Sequence, residues 1–247
     1  MVAMKQVLFG GLALSALAGG LVVAARQSEP TPLITFTTSL SGRTDAQRHN
    51  AALAVRKLNG ALIKPGGTFS FNGRIGTYSR DTGYRRAPVS FNGQLISAWG
   101  GGVCQTSTTF YNAALRSGFD ILERHAHQFA PLYVQPGLDS AVAYPGIDLR
   151  VRNPYPYAVR VVARIDGDSL IVRLEAQGQK NGLCSIEREV RQVTHDAPKV
   201  IGEGSATRIR NTGKTGFDVS VYRIRNGKRE WISSDSYPSM AKVIERS

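Results

Sequence analysis

The chain has 247 residues, of which 42% are hydrophobic, so it can bury a sizeable core and is not disordered throughout. Its 31 Lys and Arg residues outnumber 18 Asp and Glu residues, which gives a formal net charge of +13 and favours an anionic partner. The basic residues are scattered and accompany no nucleic-acid-binding motif, so a solvated basic surface is the simpler interpretation and no specific nucleic acid is predicted as a partner.

The first 26 residues have the pattern of an export signal. Lys5 precedes an uncharged apolar run over residues 7–25, and small residues at 16–18 offer a cleavage site. The run is also long enough to cross a bilayer of about 30 Å as a helix. Residues 1–26 are therefore predicted to be a signal peptide or an N-terminal membrane anchor. The rest of the chain is expected outside the cytoplasm, in the periplasm or cell wall, with this segment as its only membrane contact.

Residues 27–40 are predicted to form a linker and a first strand. In "DAQRHNAALAVRKLNG", apolar residues recur at helical spacing, and Gly60 follows the last of them. A Pro-Gly turn and a short strand over residues 68–71 come next. Asn92 and Gly93 then separate two apolar segments, which predicts a β-hairpin.

The segment "CQTSTTFYNAALRSGF" predicts a second helix, which begins directly after three glycines and a valine and ends near Gly118. The residues after it read as mostly extended, with a turn at Pro136 and Gly137, and alternating strands follow to residue 176. From about residue 185 the pattern is again β. These elements predict an α+β fold with one or two helices packed on an antiparallel sheet, followed by a small C-terminal β appendage.

The chain contains two cysteines, Cys104 and Cys184. An exported protein can form disulfides, so a bridge between them is one interpretation, and a buried structural thiol is another. The third is a nucleophile. The unsatisfied N–H groups of a first helical turn lower the pKa of a thiol, and the preceding glycines would let a substrate approach closely.

A nucleophilic Cys104 needs a base and a group to orient it. In an extended segment, His125 and His127 would face the same side, within reach of the helix start. We predict His127 as the base and Asp148 as its orienting partner, with His125, Asp139 and Asn153 as alternatives. The predicted substrate-binding positions are the three glycines, two polar residues of the helix and two aromatic residues: Gly100, Gly101, Gly102, Gln105, Thr108, Trp99 and Tyr133.

Zinc could be held by His125 and His127 together with Cys104 or an aspartate. A His-x-His pair without a second ligand pair is a weak signal, so neither a metal nor a cofactor is predicted. The run "NTGKTG" lacks the first glycine of a phosphate-binding loop, because Arg208 occupies that position.

Several segments in order resemble the VanW family of bacterial envelope proteins, whose name comes from an accessory member of some vancomycin-resistance clusters. They are "RHNAALAVRKLNG", "PGGTFSFNGRIG", "GYRRAPVSFNGQL", "GGGVCQTSTTFYNAAL", "ERHAHQFAPLYVQPGLDSAV" and "IDLRVRNPYPY". The resemblance covers residues 41–176 and leaves 177–247 as a β-rich C-terminal extension. It implies a role in the cell envelope and no settled reaction.

Two functional hypotheses follow. The first is cysteine-dependent acyl transfer on peptidoglycan or its precursors, either amide cleavage or transpeptidation. The order of a cysteine at a helix start, a later histidine and a polar partner is similar to papain-like, transglutaminase-like and NlpC-type enzymes. The alternative is a non-catalytic envelope module that binds wall polymer or glycopeptide-like ligands, with Cys104 structural. The sequence does not predict an oligomeric state.

Overall fold

The computed structural model describes residues 30–91, 94–177 and 184–247. The predicted export segment and the hairpin turn at Asn92 and Gly93 lie outside these residues. Of the helices that the structure does describe, none is long and apolar enough to cross a membrane.

The described elements are mostly strands, which confirms the α+β class. The helices are α1 (Asp45–Leu58), α2 (Phe71–Ile75) and α3 (Val103–Arg116). The strands are β1 (Pro30–Ser39), β2 (Leu62–Ile63), β3 (Thr68–Ser70), β4 (Arg86–Phe91), β5 (Gln94–Trp99), β6 (Asp120–Glu123), β7 (Arg150–Arg152), β8 (Val159–Asp166), β9 (Ser169–Gln177), β10 (Ser185–Thr194), β11 (Lys199–Ile201), β12 (Thr207–Asn211), β13 (Gly216–Arg225), β14 (Lys228–Tyr237) and β15 (Val243–Arg246).

The strands form small sheets. The largest of these has the order β1-β9-β8-β2, a second has the order β3-β7-β6, and β4 pairs with β5 as the predicted hairpin. In the C-terminal region β13 lies between β10 and β14, and β15 lies between β11 and β12. Neighbouring strands run antiparallel except β11 and β15, which are parallel.

Helix α1 forms where its periodicity predicts. Thr44 caps its first turn, because the Thr44 side chain accepts from the N–H of Gln47 while the Gln47 side chain accepts from the N–H of Thr44. Ala51, Ala54, Val55 and Leu58 are buried, and the helix contacts β8 and α3.

Helix α3 is the centre of the fold, with nearly all of its side chains buried and contacts to β1 and β9. Most of its buried hydroxyl and amide groups make hydrogen bonds, as is usual for buried polar groups, although the Tyr111 hydroxyl and Asn112 Oδ1 have no partner among the described residues. Thr109 Oγ1 contacts Thr38 Oγ1 of β1 at 2.8 Å, and Asn112 Nδ2 donates to the Leu138 carbonyl at 2.7 Å. The surroundings of α3 therefore fix the position of its first turn.

The C-terminal strands pack on the same core. Arg223 of β13 is buried, and its guanidinium donates to the Phe119 carbonyl beyond the end of α3 at 2.6 Å. Val221 belongs to the main buried cluster. The segment 184–247 thus reaches the elements that carry the candidate site.

Two local expectations differ from the structure. The strand predicted over residues 68–71 ends at Ser70, because the Ser70 hydroxyl accepts from the N–H of Gly73 and caps the short helix α2. The segment after α3 is extended only as far as Glu123, where β6 ends, and continues as bends and turns.

Candidate active site

Cys104 is the second residue of α3, and its side chain is half-buried. The chain enters the helix through Gly102, whose φ of 108° is in the left-handed region. A Cβ at Gly102 would overlap the backbone carbonyl of Gln47 in α1, so only glycine fits there. The Cys104 Sγ lies 3.5 Å from the N–H of Val142 and 3.3 Å from the Val142 carbonyl oxygen. The backbone of Val142 therefore holds the sulfur in place.

His127 lies between the thiol and a buried carboxylate. Its Nδ1 is 2.6 Å from Asp139 Oδ2, and its backbone N–H donates to the same oxygen at 2.7 Å. The ring also interacts with the Cys104 thiol, and each of the two groups shifts the pKa of the other. Because Nδ1 is taken by Asp139, Nε2 is the ring nitrogen left for the sulfur. The three side chains therefore form a Cys–His–Asp triad.

The electrostatics of the triad favour an ion pair. Burial raises the pKa of the Cys104 thiol, but the hydrogen bond and positive charge of His127 and the N–H of Val142 bring the pKa below its ordinary value. Burial lowers the pKa of His127, but hydrogen bonds with Asp139 and Cys104 raise it to about 9. Both shifts favour the ion pair, in which a thiolate faces an imidazolium, over the neutral pair.

Asp139 is fully buried, and burial raises the pKa of its carboxyl. Its hydrogen bonds with His127 and the charge of Arg124 outweigh this effect and hold the pKa below its ordinary value. Arg124 bonds to Asp139 Oδ1 at 3.0 Å and to Asp235 of β14 at 2.5 Å. The Tyr237 hydroxyl, also from β14, donates to Asp139 Oδ1 at 2.5 Å. Asp235 and Tyr237 of the C-terminal region thus help to position the Asp139 carboxylate, which in turn accepts from His127.

Tyr133 and Arg43 line the rim of the triad. The Tyr133 ring stands edge-on to His127, with 6.5 Å between ring centroids, and its hydroxyl is 3.5 Å from Thr108 Oγ1. The Arg43 guanidinium lies 4.9 Å from the Tyr133 ring centroid. The predicted positions Tyr133 and Thr108 are thus beside the triad, although Thr108 is fully buried and bonded to the backbone of Ser140.

Asp148, the orienting residue preferred from the sequence, does not contact the histidine. Its carboxylate accepts from the Ser70 hydroxyl at 2.5 Å and from the N–H of Asn72 at 2.8 Å, and so ties the α2 turn to the strand segment before β7. Asn153 instead donates to the carbonyl oxygens of Ile63 and Tyr157. Of the three candidates for this role, the structure brings only Asp139 to the imidazole.

His125 also lies away from the thiol. Its Nε2 is 3.1 Å from Glu123 Oε1, and its side chain is 46% exposed. The expectation that both histidines face one side is wrong, because the strand ends at Glu123 and the backbone bond to Asp139 turns His127 inward. None of the described residues form a group of three or more His, Cys, Asp or Glu that could hold a metal ion.

Other atoms of the protein already occupy the space beside Gly100 and Gly101. A Cβ at Gly100 would lie 2.8 Å from the Tyr78 side chain, and one at Gly101 would lie 2.8 Å from the Pro88 carbonyl oxygen. Their small size therefore serves the packing of the hairpin and α1, and they do not open space for a substrate as the sequence suggested.

The amide of Gln105 is already bonded within the protein, whereas the predicted substrate-binding role of Trp99 stays a prediction. Gln105 is buried, donates to the Ser39 carbonyl at 2.7 Å and accepts from Arg43 Nε at 2.9 Å. These bonds use its amide to join α3 to β1. Trp99 ends β5 and is 39% exposed, with Arg86 over its ring.

The structure excludes the disulfide interpretation, since both cysteines are free. The N–H of Cys184 donates to the carbonyl of Arg116 at the far end of α3. Twelve residues of α-helix separate Arg116 from Cys104, roughly 18 Å at about 1.5 Å per residue. A disulfide needs Cα atoms within about 7 Å.

Sequence reasoning missed Arg124, Tyr237, Asp235 and Arg43. Arg124 stands one residue before His125, so its position beside the histidines was a usable signal. Tyr237 and Asp235 lie about a hundred residues further along a strand with no motif, and no sequence pattern joins them to Asp139.

The comparisons with known proteins place the chain in a family. The family model described as VanW like protein matches residues 46–175. YoaR, an uncharacterized protein of Bacillus subtilis (strain 168), is 34% identical over 139 residues, which are 56% of this chain and 46% of that protein. The vancomycin B-type resistance protein VanW of Enterococcus faecalis (strain ATCC 700802 / V583) is 32% identical over 143 residues, 56% of this chain and 52% of that protein.

The chain thus spans about half the length of these curated relatives. No solved structure matches it. The family match contains Cys104, His127 and Asp139 and ends before β10, so Asp235 and Tyr237 lie outside it. Because the match covers more than half of the residues, the chain belongs to the VanW-like protein family.

Proposed function

We propose that this protein is an exported cell-envelope enzyme that cleaves or transfers acyl groups of peptidoglycan or its precursors through Cys104. The observation that carries the proposal is the triad, in which a half-buried thiol with a lowered pKa faces His127, and Asp139 holds the ring. A purely structural cysteine needs no such partner. Burial in apolar surroundings raises the pKa of an inert thiol, whereas the pKa of Cys104 is lowered. Cys184, whose pKa burial does raise, is the example within this chain.

The first half of the reaction forms a thioester. The Cys104 thiolate attacks the carbonyl carbon of an amide, a C–S bond forms, and the carbonyl π electrons move onto the oxygen. The N–H of Cys104, which donates to none of the described backbone carbonyls, is placed to hold that oxyanion. The intermediate collapses as the C–N bond breaks, and the imidazolium of His127 gives its Nε2 proton to the leaving amine.

The second half releases the acyl group. His127 is now neutral and takes a proton from water or from an acceptor amine, whose oxygen or nitrogen attacks the thioester carbon. The C–S bond breaks and the thiolate returns beside the imidazolium. Water gives hydrolysis, and an amine gives transpeptidation. Asp139 keeps the ring in one orientation and tautomer and stabilises its positive charge throughout.

The substrate class is supported by family and charge. One relative carries the name of a vancomycin B-type resistance protein, and vancomycin-type antibiotics act on cell-wall precursors. The formal net charge of +13 suits an anionic envelope polymer. The apolar run over residues 7–25 supports export through a signal peptide or anchor.

The proposal is tested by incubating the purified protein, without residues 1–26, with defined muropeptides and analysing products by mass spectrometry. We expect new hydrolysed or cross-linked peptides and a thioester adduct on Cys104. Cys104→Ala should abolish both, while the matched variant Cys184→Ala should retain activity if it folds. Equal product from Cys104→Ala and wild type would contradict the enzyme proposal and favour a binding module with a structural Cys104.

A further inference from the structure

We propose that Arg43 and Lys214 together bind a carboxylate of the acyl substrate beside Cys104. This inference rests on the proposed function, and it names a feature of the substrate that the triad alone does not. It concerns two cations that each contact an aromatic ring of the segment after His127, Arg43 at Tyr133 and Lys214 at Phe129.

Arg43 approaches the site from the turn between β1 and α1. Its Nε donates to Gln105, the neighbour of Cys104, at 2.9 Å, and its guanidinium carbon lies 4.9 Å from the centroid of the Tyr133 ring. Among the described residues it forms no ion pair. Its two terminal nitrogens therefore keep the planar pair of donors that matches a carboxylate.

Lys214 approaches from the C-terminal region, in the loop between β12 and β13. Backbone hydrogen bonds in both directions with Met240, at 2.9 and 2.8 Å, fix this position. Its ammonium lies 5.8 Å from the centroid of the Phe129 ring, two residues after His127. Like Arg43 it is half-buried, and within the described chain it has no acidic partner.

The two cations lie close enough to affect each other. Burial lowers the pKa of Lys214, and the positive charge of Arg43 lowers it further. Partial burial of a cation without a counter-charge is unfavourable, because desolvation penalises the charged form. A carboxylate bound between them would remove the repulsion, and the rings of Tyr133 and Phe129 would flank its carbon chain.

The same pair serves catalysis at a thiolate. An anionic substrate is repelled by the Cys104 thiolate, so a substrate with a carboxylate near its reacting carbonyl needs a compensating charge. Arg43 and Lys214 supply it at the rim, a few bonds from the carbonyl that the sulfur attacks. A neutral substrate would leave both cations unsatisfied in the complex.

The test uses two alkylating probes that differ by one charge, N-iodoacetylglycine and its amide, N-iodoacetylglycinamide. The Cys104 thiolate attacks the iodomethyl carbon of either probe, a C–S bond forms and iodide leaves. We expect the ratio of the carboxylate-probe rate to the amide-probe rate at Cys104 to exceed that of a neutral reference thiol, N-acetylcysteine amide, by about threefold or more. Arg43→Gln and Lys214→Gln should each lower this ratio toward the reference value. Lys228→Gln, which removes one positive charge at the exposed β13–β14 turn, should keep the wild-type ratio.

The two proposals fail in different ways. A wild-type ratio equal to that of the reference thiol would overturn the carboxylate site, even with fast amide-probe labelling. Slow amide-probe labelling at neutral pH would instead count against the thiolate of the proposed function. In that case the carboxylate site is measured in Cys104→Ala, where N-acetylglycine but not N-acetylglycinamide should raise the melting temperature, and Arg43→Gln should remove that rise. Absence of the rise would overturn the site independently of the thiol.

Discussion

Replacing Asp139 with asparagine tests the link between the carboxylate and the reactivity of the thiol. Asparagine keeps the shape of the side chain but removes the negative charge that accepts from His127 Nδ1 at 2.6 Å. The imidazolium then loses its buried counter-ion, and the pKa of His127 falls from about 9 toward its ordinary value of 6.5. With a neutral imidazole beside it, the pKa of Cys104 rises, because the positive charge that lowers it is lost.

The magnitude follows from the difference between about 9 and 6.5, which corresponds to about 3 kcal/mol of preference for the protonated ring. Asp139 and Cys104 both contribute to this preference, so about half of it, roughly 1.5 kcal/mol, is assigned to Asp139. That corresponds to about a tenfold fall in the ratio of the thiolate–imidazolium pair to the neutral pair. Asp139 itself raises the pKa of Cys104 slightly, which makes tenfold an upper value.

The assay is the rate of iodoacetamide labelling of Cys104 as a function of pH, read by peptide mass spectrometry. Wild type should label rapidly from well below the ordinary thiol pKa, with a second rise near pH 9 as His127 loses its proton. Asp139→Asn should lose the fast phase at neutral pH. The matched control is Asp148→Asn, another mostly buried aspartate, whose partners are Ser70 and Asn72. A shifted profile in Asp148→Asn and an unshifted one in Asp139→Asn would refute the assignment.

Three further substitutions, with Gly60→Ala as a control for one of them, test the surroundings of the triad. Tyr237→Phe removes the hydroxyl that donates to Asp139. It should lower the free energy of unfolding in denaturant by about 1–3 kcal/mol and slow the labelling of Cys104 at pH 7. Unchanged values in both measurements would show that this hydrogen bond neither stabilises the protein nor positions Asp139. Gly102→Ala forces a methyl group into a backbone carbonyl at φ 108° and should lower unfolding free energy by at least about 2 kcal/mol. Gly60→Ala, at φ 76° in open space, should lower the free energy of unfolding by only about 1 kcal/mol. Equal losses of stability in the two variants would show that the positive φ alone, and not the clash at Gly102, causes the effect. His125→Ala should leave the labelling profile intact, because that ring faces Glu123, and a lost fast phase would contradict the choice of base.

The helical part of the fold was predictable because its signals are local. The start of α1 is set by Thr44 and Gln47, and the end of α3 by the residues before Gly118, and each lies within a few positions of the element it bounds. The hairpin of β4 and β5 follows from a two-residue turn between apolar runs. The sheet order was not predictable, because β1 pairs with β9 across more than a hundred residues and no periodicity encodes that partner.

The site, like the fold, was predictable where its signals are local and not where it depends on long-range contacts. A cysteine after glycines at a helix start and a nearby histidine pair pointed to Cys104 and His127, which do meet in the structure. The choice between Asp139 and Asp148 depended on how the bends after β6 return to α3. A backbone bond from His127 to Asp139 decides that path, and the sequence shows no trace of it.

The charges of the site form an alternating row that explains how three anions can coexist. When the thiol and imidazole form their ion pair, Cys104, His127, Asp139, Arg124 and Asp235 follow one another with signs minus, plus, minus, plus and minus. The side chains of Arg124, Asp139 and Asp235 are at most 9% exposed, so little water screens them. Each anion is separated from the next by a cation, and the repulsion that Asp139 exerts on the thiolate is outweighed by His127 between them.

The last charge in that row comes from outside the family match. Without Asp235, Arg124 would have only the Asp139 carboxylate to neutralise its positive charge. The whole of that charge would then compete with the imidazolium of His127 for Asp139. Because β14 supplies both Asp235 and the hydroxyl of Tyr237, the C-terminal sheet fixes how strongly Asp139 can hold the imidazolium. Cys104 and His127 therefore belong to the matched domain, and the surroundings of the carboxylate beside them are completed by strands that follow it.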